Sequence, residues 1–314
     1  MMGTGDFAVP TFQSLYDTPH QVVGLVTQPD RTGSGHHRNL QNPMKELAQR
    51  HGTAVLQPEK VNSPASIAEL QRLAADLFVV AAYGQILSTA LLAIPRLGSI
   101  NVHASLLPRY RGAAPVAYAI LNGDAETGVS IIQVLPQLDA GPIFAVARTS
   151  IGGDETAGQL EDRLARLAVE LVPNVIDQLA LGTAQPLVQD EVLATRAPKL
   201  TKQMGAIDWT KSATGVDCQI RAMQPWPGAC TFLHSSGKPR QRLLMLAVHP
   251  VAQSDPDATP GTPTRVDKEH LAVQTGQGSV DVLRIQPEGK RPMAIADFLR
   301  GRAISPNDRF GPEV

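Results

Sequence analysis

Between residues 21 and 151, short apolar runs alternate with polar segments of helical spacing, and this alternation restricts the fold more than any other feature of the chain. QVVGLVT (21–27), ADLFVVAAYG (75–84), SINVHA (99–104), TGVSIIQVL (127–135) and PIFAVARTSI (142–151) read as strands, each a short apolar stretch closed by a turn residue. SPASIAELQRL (63–73) opens on a serine cap and carries helical spacing. Apolar strands separated by helices are buried on both faces, so the pattern predicts an α/β domain with a mostly parallel sheet. Ligands of such sheets bind beyond the carboxyl ends of the strands. His103 sits at one of those ends.

The character changes after residue 151. DETAGQLEDRLARLAVELVPNVIDQLALG (154–182) has Leu160, Leu164, Leu167, Leu171 and Val175 on one stripe and predicts a long helix. Pro173 falls inside it, and its missing N–H predicts a kink or an interruption. Residues 184–205 show no period and read as a linker. One helix at about 212–224 then precedes ACTFLH, RLLMLAVHP, HLAVQT and GSVDVLRIQP, short strands spaced by Gly, Pro and Ser, as in a small β-barrel. The expected organisation is a first domain over 1–183, a linker over 184–205 and a barrel domain over 206–314.

Charge is split unevenly, net −6 over residues 1–195 and net +5 over 196–314. A basic second half suggests a polyanionic partner, set against a chance difference between domains. No apolar run approaches the roughly 20 residues that cross a membrane, and MMGTGDFAVP lacks the features of a secretory signal. Cys218 and Cys230 form neither a metal-ligand spacing nor a disulfide framework, which fits a reducing cytoplasm.

GTGDFA (3–8) matches the G-x-G-x-x-A dinucleotide fingerprint, but only two residues precede Gly3 where the fingerprint needs a strand. A strand-to-helix glycine turn is the plainer reading, and a nicotinamide enzyme a minor alternative. His36 and His37 lie in a polar glycine-rich loop without further ligands at metal spacing. Asn101 and His103 share one face of a strand. Asp139, in the Gly-flanked loop LDAGPI after another strand, could reach His103. A carboxylate beside an imidazole favours its charged form, and an amide with an imidazolium would stabilise a carbonyl oxyanion. That set suits acyl transfer. A Ser105-His103-Asp139 triad is imaginable, but G-x-S-x-G is absent and nothing requires an acyl-enzyme.

NVHASLLPRYRGAAPV followed by GDAETGVSIIQVLPQLDAGPIF resembles the folate-dependent formyltransferases. GTGDFAVP, VTQPDR, VVAAYGQIL, PKLTKQMGAIDW, IRAMQPWPGA and LRIQPEGKRPM extend the resemblance over nearly the whole chain. The C-terminal motifs point to the branch that acts on initiator tRNA. The resemblance implies a Rossmann-like formyltransferase domain followed by an OB-like barrel. It implies 10-formyltetrahydrofolate as donor, the α-amine of initiator methionyl-tRNA as acceptor, no metal, and a cytoplasmic monomer. By motif it gives Asn101, His103 and Asp139 the catalytic places. Ser105, Leu106, Leu107, Pro108, Tyr83, Gly84, Ile86, Leu87, Leu138 and Gly141 take those of the folate pocket. For tRNA the candidates are Arg31, Arg38, Lys211, Arg221, Lys290 and Arg291, with Lys238, Arg240 and Arg242 as further basic residues.

The chain departs from the family pattern in the loop TGSGHHRN, which keeps Arg31 and Arg38 but lacks the central arginine, and at Pro136 before the LDAG loop. It also opens at Met2-Gly3-Thr4, where family chains first carry a short apolar strand; the expectation is a start a few codons upstream and, without that strand, a groove over the core. A sugar-nucleotide formyltransferase and a formyl-folate hydrolase share the donor chemistry and stay open as alternatives. A pure RNA-binding protein would leave Asn101, His103 and Asp139 without purpose.

Overall fold

In the computed structural model, residues 1–30, 42–253, 255 and 257–313 are described. Contacts divide the chain into one unit of residues 1–115, 126–149 and 161–197, and a second of residues 116–125, 150–160 and 198–314. The first nine strands are β1 (Met2–Gly3), β2 (Leu25–Val26), β3 (Val55–Leu56), β4 (Phe78–Ala81), β5 (Ser99–His103), β6 (Arg111–Gly112), β7 (Glu126–Gln133), β8 (Ile143–Ser150) and β9 (Arg196–Ala197). Seven of them form one sheet in the order β3-β2-β1-β4-β5-β7-β8. The pairs from β3 to β5 are parallel, and β5 meets β7 antiparallel. All four residues of β4 are buried, as a central parallel strand requires. The edge strand β8 instead alternates, with Val146 and Arg148 exposed.

Local chemistry starts the helices. Asn42 caps α1 (Pro43–Arg50), accepting from the backbone N–H of Met44, and Pro43 occupies the first turn, where its missing N–H costs nothing. Ser63 does the same for α2 (Pro64–Arg72). The glycines of GTGDFA make a strand-to-helix turn: an added Cβ on Gly3 would lie 2.9 Å from Ala81 O, and Gly5 has φ +78°. The long helix α3 (Ala157–Leu181) runs through Pro173 without interruption. Leu160, Leu164, Ala168, Val172, Val175 and Ile176 are buried along it, and packing on both sides of the proline outweighs one missing backbone bond.

Met2 is already in the ladder, opposite Val26 on one side and Val80 on the other. Met1 donates its amine to Gly24 O at 2.9 Å. Beside it lies a cavity of about 370 Å³ lined by Val22, Leu73, Leu77, Leu97 and Ile176, among others. Burial pushes the Met1 amine down to about 5.

The stretch read as a linker is shared between the units: it clusters with the first as far as Ala197 and with the second from Pro198. Its lack of period reflects short extended pieces interleaved with two 3-10 turns (Glu191–Leu193 and Lys202–Gly205) and held by hydrogen bonds, with β9 pairing β6 in parallel. The second unit carries β10 (Ala229–His234), β11 (Gln241–Val251), β12 (Pro263–Val266), β13 (Leu271–Gln274), β14 (Ser279–Pro287), β15 (Met293–Ala294) and β16 (Arg309–Gly311). They form an antiparallel sheet ordered β12-β13-β14-β11-β10-β16, with β15 on β14. Its ends come together where Phe310 N–H donates to Gly261 O at 2.8 Å. A Cβ on Gly261 would stand 2.1 Å from Phe310 O, so only glycine permits this closure of the OB-like half-barrel.

Candidate active site

β5 sets Asn101 opposite Ile132 and His103 opposite Ser130 of β7, so the two polar side chains share a face while Ile100 and Val102 enter the core. His103 is 5 % exposed. Its Nε2 lies 2.9 Å from Tyr110 O, and its Nδ1 lies 3.7 Å from Asp139 Oδ2. Both ring nitrogens therefore face oxygen atoms, the second beyond hydrogen-bond distance. The two residues supplying those oxygens, Tyr110 (φ +65°) and Asp139 (φ +49°), both hold left-handed backbone that side chains other than glycine seldom adopt. Such conformations cost on the order of 1–3 kcal/mol and collect at functional sites. The side chain of Asn101 is half-buried and has no hydrogen-bond partner among the described residues, so its amide is a donor in waiting.

Asp139 is held from the far side. Its Oδ2 accepts the Gly112 N–H at 2.8 Å. Gly112 has φ +127°, and a Cβ there would lie 2.5 Å from Ala197 O. Gly141, two residues on, is equally closed to a side chain, with Gln133 O 1.9 Å from the added Cβ. The glycines of LDAGPI and RYRG thus let three backbone segments approach closely enough to aim one carboxylate.

The expected folate segment is divided by burial. Ser105 is fully buried, donates to Arg109 O at 2.7 Å, and accepts at its carbonyl from Ser130. This hydroxyl is committed to the fold, and the residue is closed off from the surface. Leu107 packs with Ile132 and Ile143, and Tyr83 and Leu87 belong to a core cluster with Met2, Val26 and Val80. Burial pushes the Tyr83 phenol up to about 12. Leu106 and Pro108 are half-buried, Gly84 is exposed, and Ile86 and Leu138 are 79 % and 64 % exposed, so these remain available to a ligand; Gly141 has only its backbone to offer.

Among the tRNA candidates, Arg31 and Arg38 lie outside the described residues, as do His36 and His37. Lys211, Lys290 and Arg291 are exposed. Arg221 is not a surface cation: its guanidinium pairs with Asp217 at 2.8 Å and donates to Glu155 O, with its side chain 13 % exposed. No group of three or more His, Cys, Asp and Glu that could hold a metal occurs among the described residues, and no helix there is long and apolar enough to cross a membrane.

The supporting residues Gly112, Arg111, Gln189 and Thr195 were missed in the sequence. Arg111 and Gly112 stand within the RYRG stretch itself, a usable signal, whereas Gln189 and Thr195 lie in aperiodic chain that offers none.

Residues 1–176 match the family model described as formyl transferase, and residues 199–303 match that of the formyl transferase C-terminal domain. The methionyl-tRNA formyltransferase of Citrifermentans bemidjiense is 42 % identical over 310 residues, 99 % of this chain and 95 % of that one. That of Methylococcus capsulatus is 41 % identical over 303 residues, 96 % of each chain. In structure, the chain is similar to an N-formyltransferase from Helicobacter canadensis in complex with folinic acid and dTDP-3-aminofucose (TM-score 0.64, 16 % identity, 90 % of this chain and 96 % of that one). It is also similar to HypX from Aquifex aeolicus in complex with tetrahydrofolic acid (TM-score 0.56, 19 % identity, 81 % and 43 %). By its two domains and its near full-length relatives, the chain belongs to the formyltransferase family, on the methionyl-tRNA formyltransferase branch.

Proposed function

We propose that this enzyme transfers the formyl group of 10-formyltetrahydrofolate to the α-amine of initiator methionyl-tRNA, with Asn101, His103 and Asp139 as the reacting set. The carrying observation is an amide without a partner, Asn101, beside an imidazole whose Nδ1 faces a carboxylate at 3.7 Å. An α-amine has a pKa of about 7.7–8, so free base is present at neutral pH. Its nitrogen attacks the formyl carbon, and the carbonyl oxygen takes negative charge. Asn101 donates to that oxygen. The Nδ1–H of His103, beyond hydrogen-bond distance from Asp139, has a proton to direct there as well. Nε2 donates to Tyr110 O, which fixes the ring. Asp139 takes up the proton that the attacking amine loses and delivers it, through water, to the folate nitrogen as the bond from that nitrogen to the formyl carbon breaks. No covalent intermediate is required, in keeping with the committed hydroxyl of Ser105.

Folate is read as bound over Leu106, Pro108, Gly84, Ile86 and Leu138, and tRNA through Lys211, Lys290 and Arg291. Residues 1–183 carry the chemistry and residues 206–314 bind tRNA, in a monomer at work in the cytoplasm. The test supplies purified protein with labelled formyl-folate and, separately, initiator methionyl-tRNA, an amino-sugar nucleotide, or no acceptor. Formylated tRNA alone is the expected product. Label on the sugar or as free formate, with none on tRNA, would replace this reading.

A further inference from the structure

We propose that Gln189 is a positioning residue for formyl transfer, its side-chain amide holding the Asp139 turn in the geometry that faces His103. This rests on the reading of Asn101, His103 and Asp139 as the reacting set. Gln189 is 6 % exposed, although its neighbours Val188 and Asp190 are exposed. One amide group makes every contact. Its Nε2 donates to Asp139 O at 2.8 Å and to Gly141 O at 2.7 Å. Its Oε1 accepts from Arg111 Nε at 3.1 Å and Nη2 at 2.8 Å. Donors and acceptor are thus fully used in a buried position. Arg111 is oriented in turn by Glu191, on which it makes two hydrogen bonds, and this guanidinium holds the Glu191 carboxyl below its usual range.

The arrangement answers a specific need. Asp139 has φ +49°, a conformation that must be held from outside. Gly112 N–H holds its carboxylate, and Gln189 holds its carbonyl and that of Gly141. Gly112 and Gln189 are themselves tied together. Arg111 N–H donates to Thr195 O at 2.8 Å, Thr195 Oγ1 accepts from Tyr110 N–H at 2.9 Å, and Leu187 exchanges both backbone bonds with Ile143 at 2.8 Å. Residues 187–197 therefore form a strap along the two segments that face His103, and Gln189 is where that strap meets the carboxylate turn.

The decisive variant is Gln189→Glu. It keeps an acceptor for Arg111 and so keeps the strap, but it loses both donors and sets a carboxylate against two carbonyl oxygens. Gln189→Leu removes donors and acceptor together. In formylation of initiator methionyl-tRNA, both are expected to lose about 100-fold in kcat, the scale of a misplacement near 1 Å. KM for the tRNA stays nearly unchanged, and any rise in KM for folate, through Leu138 of the same turn, is smaller than the fall in kcat. Gln189→Glu is expected to fold through its retained pairing with Arg111, with a lower melting temperature because the Asp139 and Gly141 carbonyls lose their donor. The proposal is overturned if Gln189→Glu turns over normally, if the loss falls on KM alone, or if Gln189→Glu does not fold, which would assign the residue to stability. His103→Ala is run beside them: activity there overturns the reading of the site, whereas an inactive His103→Ala with a normal Gln189→Glu overturns only the role of Gln189.

Discussion

Gly112 and Asp139 are joined by a 2.8 Å hydrogen bond from backbone amide to carboxylate, shorter by 0.9 Å than the approach of the same Oδ2 to His103. The carboxylate is therefore aimed by backbone before any substrate arrives, which is the kind of preorganisation that electrostatic catalysis requires. The expected outcome of Asp139→Asn is a fall in kcat of about 100- to 1,000-fold. Steady-state formylation checks it, and a variant at parental rate would remove Asp139 from the chemistry.

Asn101 offers a separation of activity from stability that His103 does not. Its amide has no partner among the described residues and its side chain is half-buried, so truncation removes no native hydrogen bond. Asn101→Ala is expected to melt at the parental temperature while turnover drops about 100-fold or more. Ser105→Ala should behave in the opposite sense. It deletes the bond to Arg109 O, costs on the order of 1 kcal/mol of stability, and leaves turnover largely intact. Thermal melts paired with initial rates decide both. A large rate loss in a stable Ser105→Ala protein would reopen an acyl-enzyme route.

Much of this was legible in the sequence because it is carried by pattern. The alternating runs predict a mostly parallel sheet, and β5 ends at His103 as the period-two reading of SINVHA requires. What escaped is held by contacts rather than pattern. Gln189 is buried inside a stretch whose neighbours are exposed, which no window average reveals. Leu87 and Tyr83 look like pocket residues by motif, yet their apolar area is better used against Met2 and Val26. Arg221 looks like a surface cation; the predicted helix already sets Asp217 four residues away on the same face, and only the fold shows that the pair is buried.

That pair yields a contrast within the basic half. The side chains of Arg221 and Asp217 are 13 % and 11 % exposed, and burial is the chief influence raising the Asp217 carboxyl. Arg221→Ala would strand a buried carboxylate, a loss of roughly 3–5 kcal/mol, and is expected to appear as a lower melting temperature. Lys290→Ala and Arg291→Ala, both at exposed positions, should leave the melt alone and weaken tRNA binding. Each is expected to flatten the dependence of log K on log salt by roughly one unit. Unchanged salt slopes in both would remove this turn from the tRNA surface.

The Met1 amine gives stability a pH dependence whose sign follows from burial. In the folded chain its pKa is lowered from 8.0 to about 5. Above the higher value the amine is neutral folded or unfolded, and its contribution is complete. As pH falls from 8.0 toward 5, the unfolded chain takes up a proton that the folded chain refuses, so stability declines across that window. The full decline is on the order of 4 kcal/mol, at about 1.4 kcal/mol per unit. An amide in place of the amine cannot take up that proton. It keeps an N–H for Gly24 O, and the adjoining cavity of about 370 Å³ has room for an acetyl group. The expected result is that Nα-acetylated and unmodified chains differ little in melting temperature at about pH 9, and that the acetylated chain is clearly the more stable at about pH 6. Parallel curves over that range would show that the amine reaches water in the folded protein.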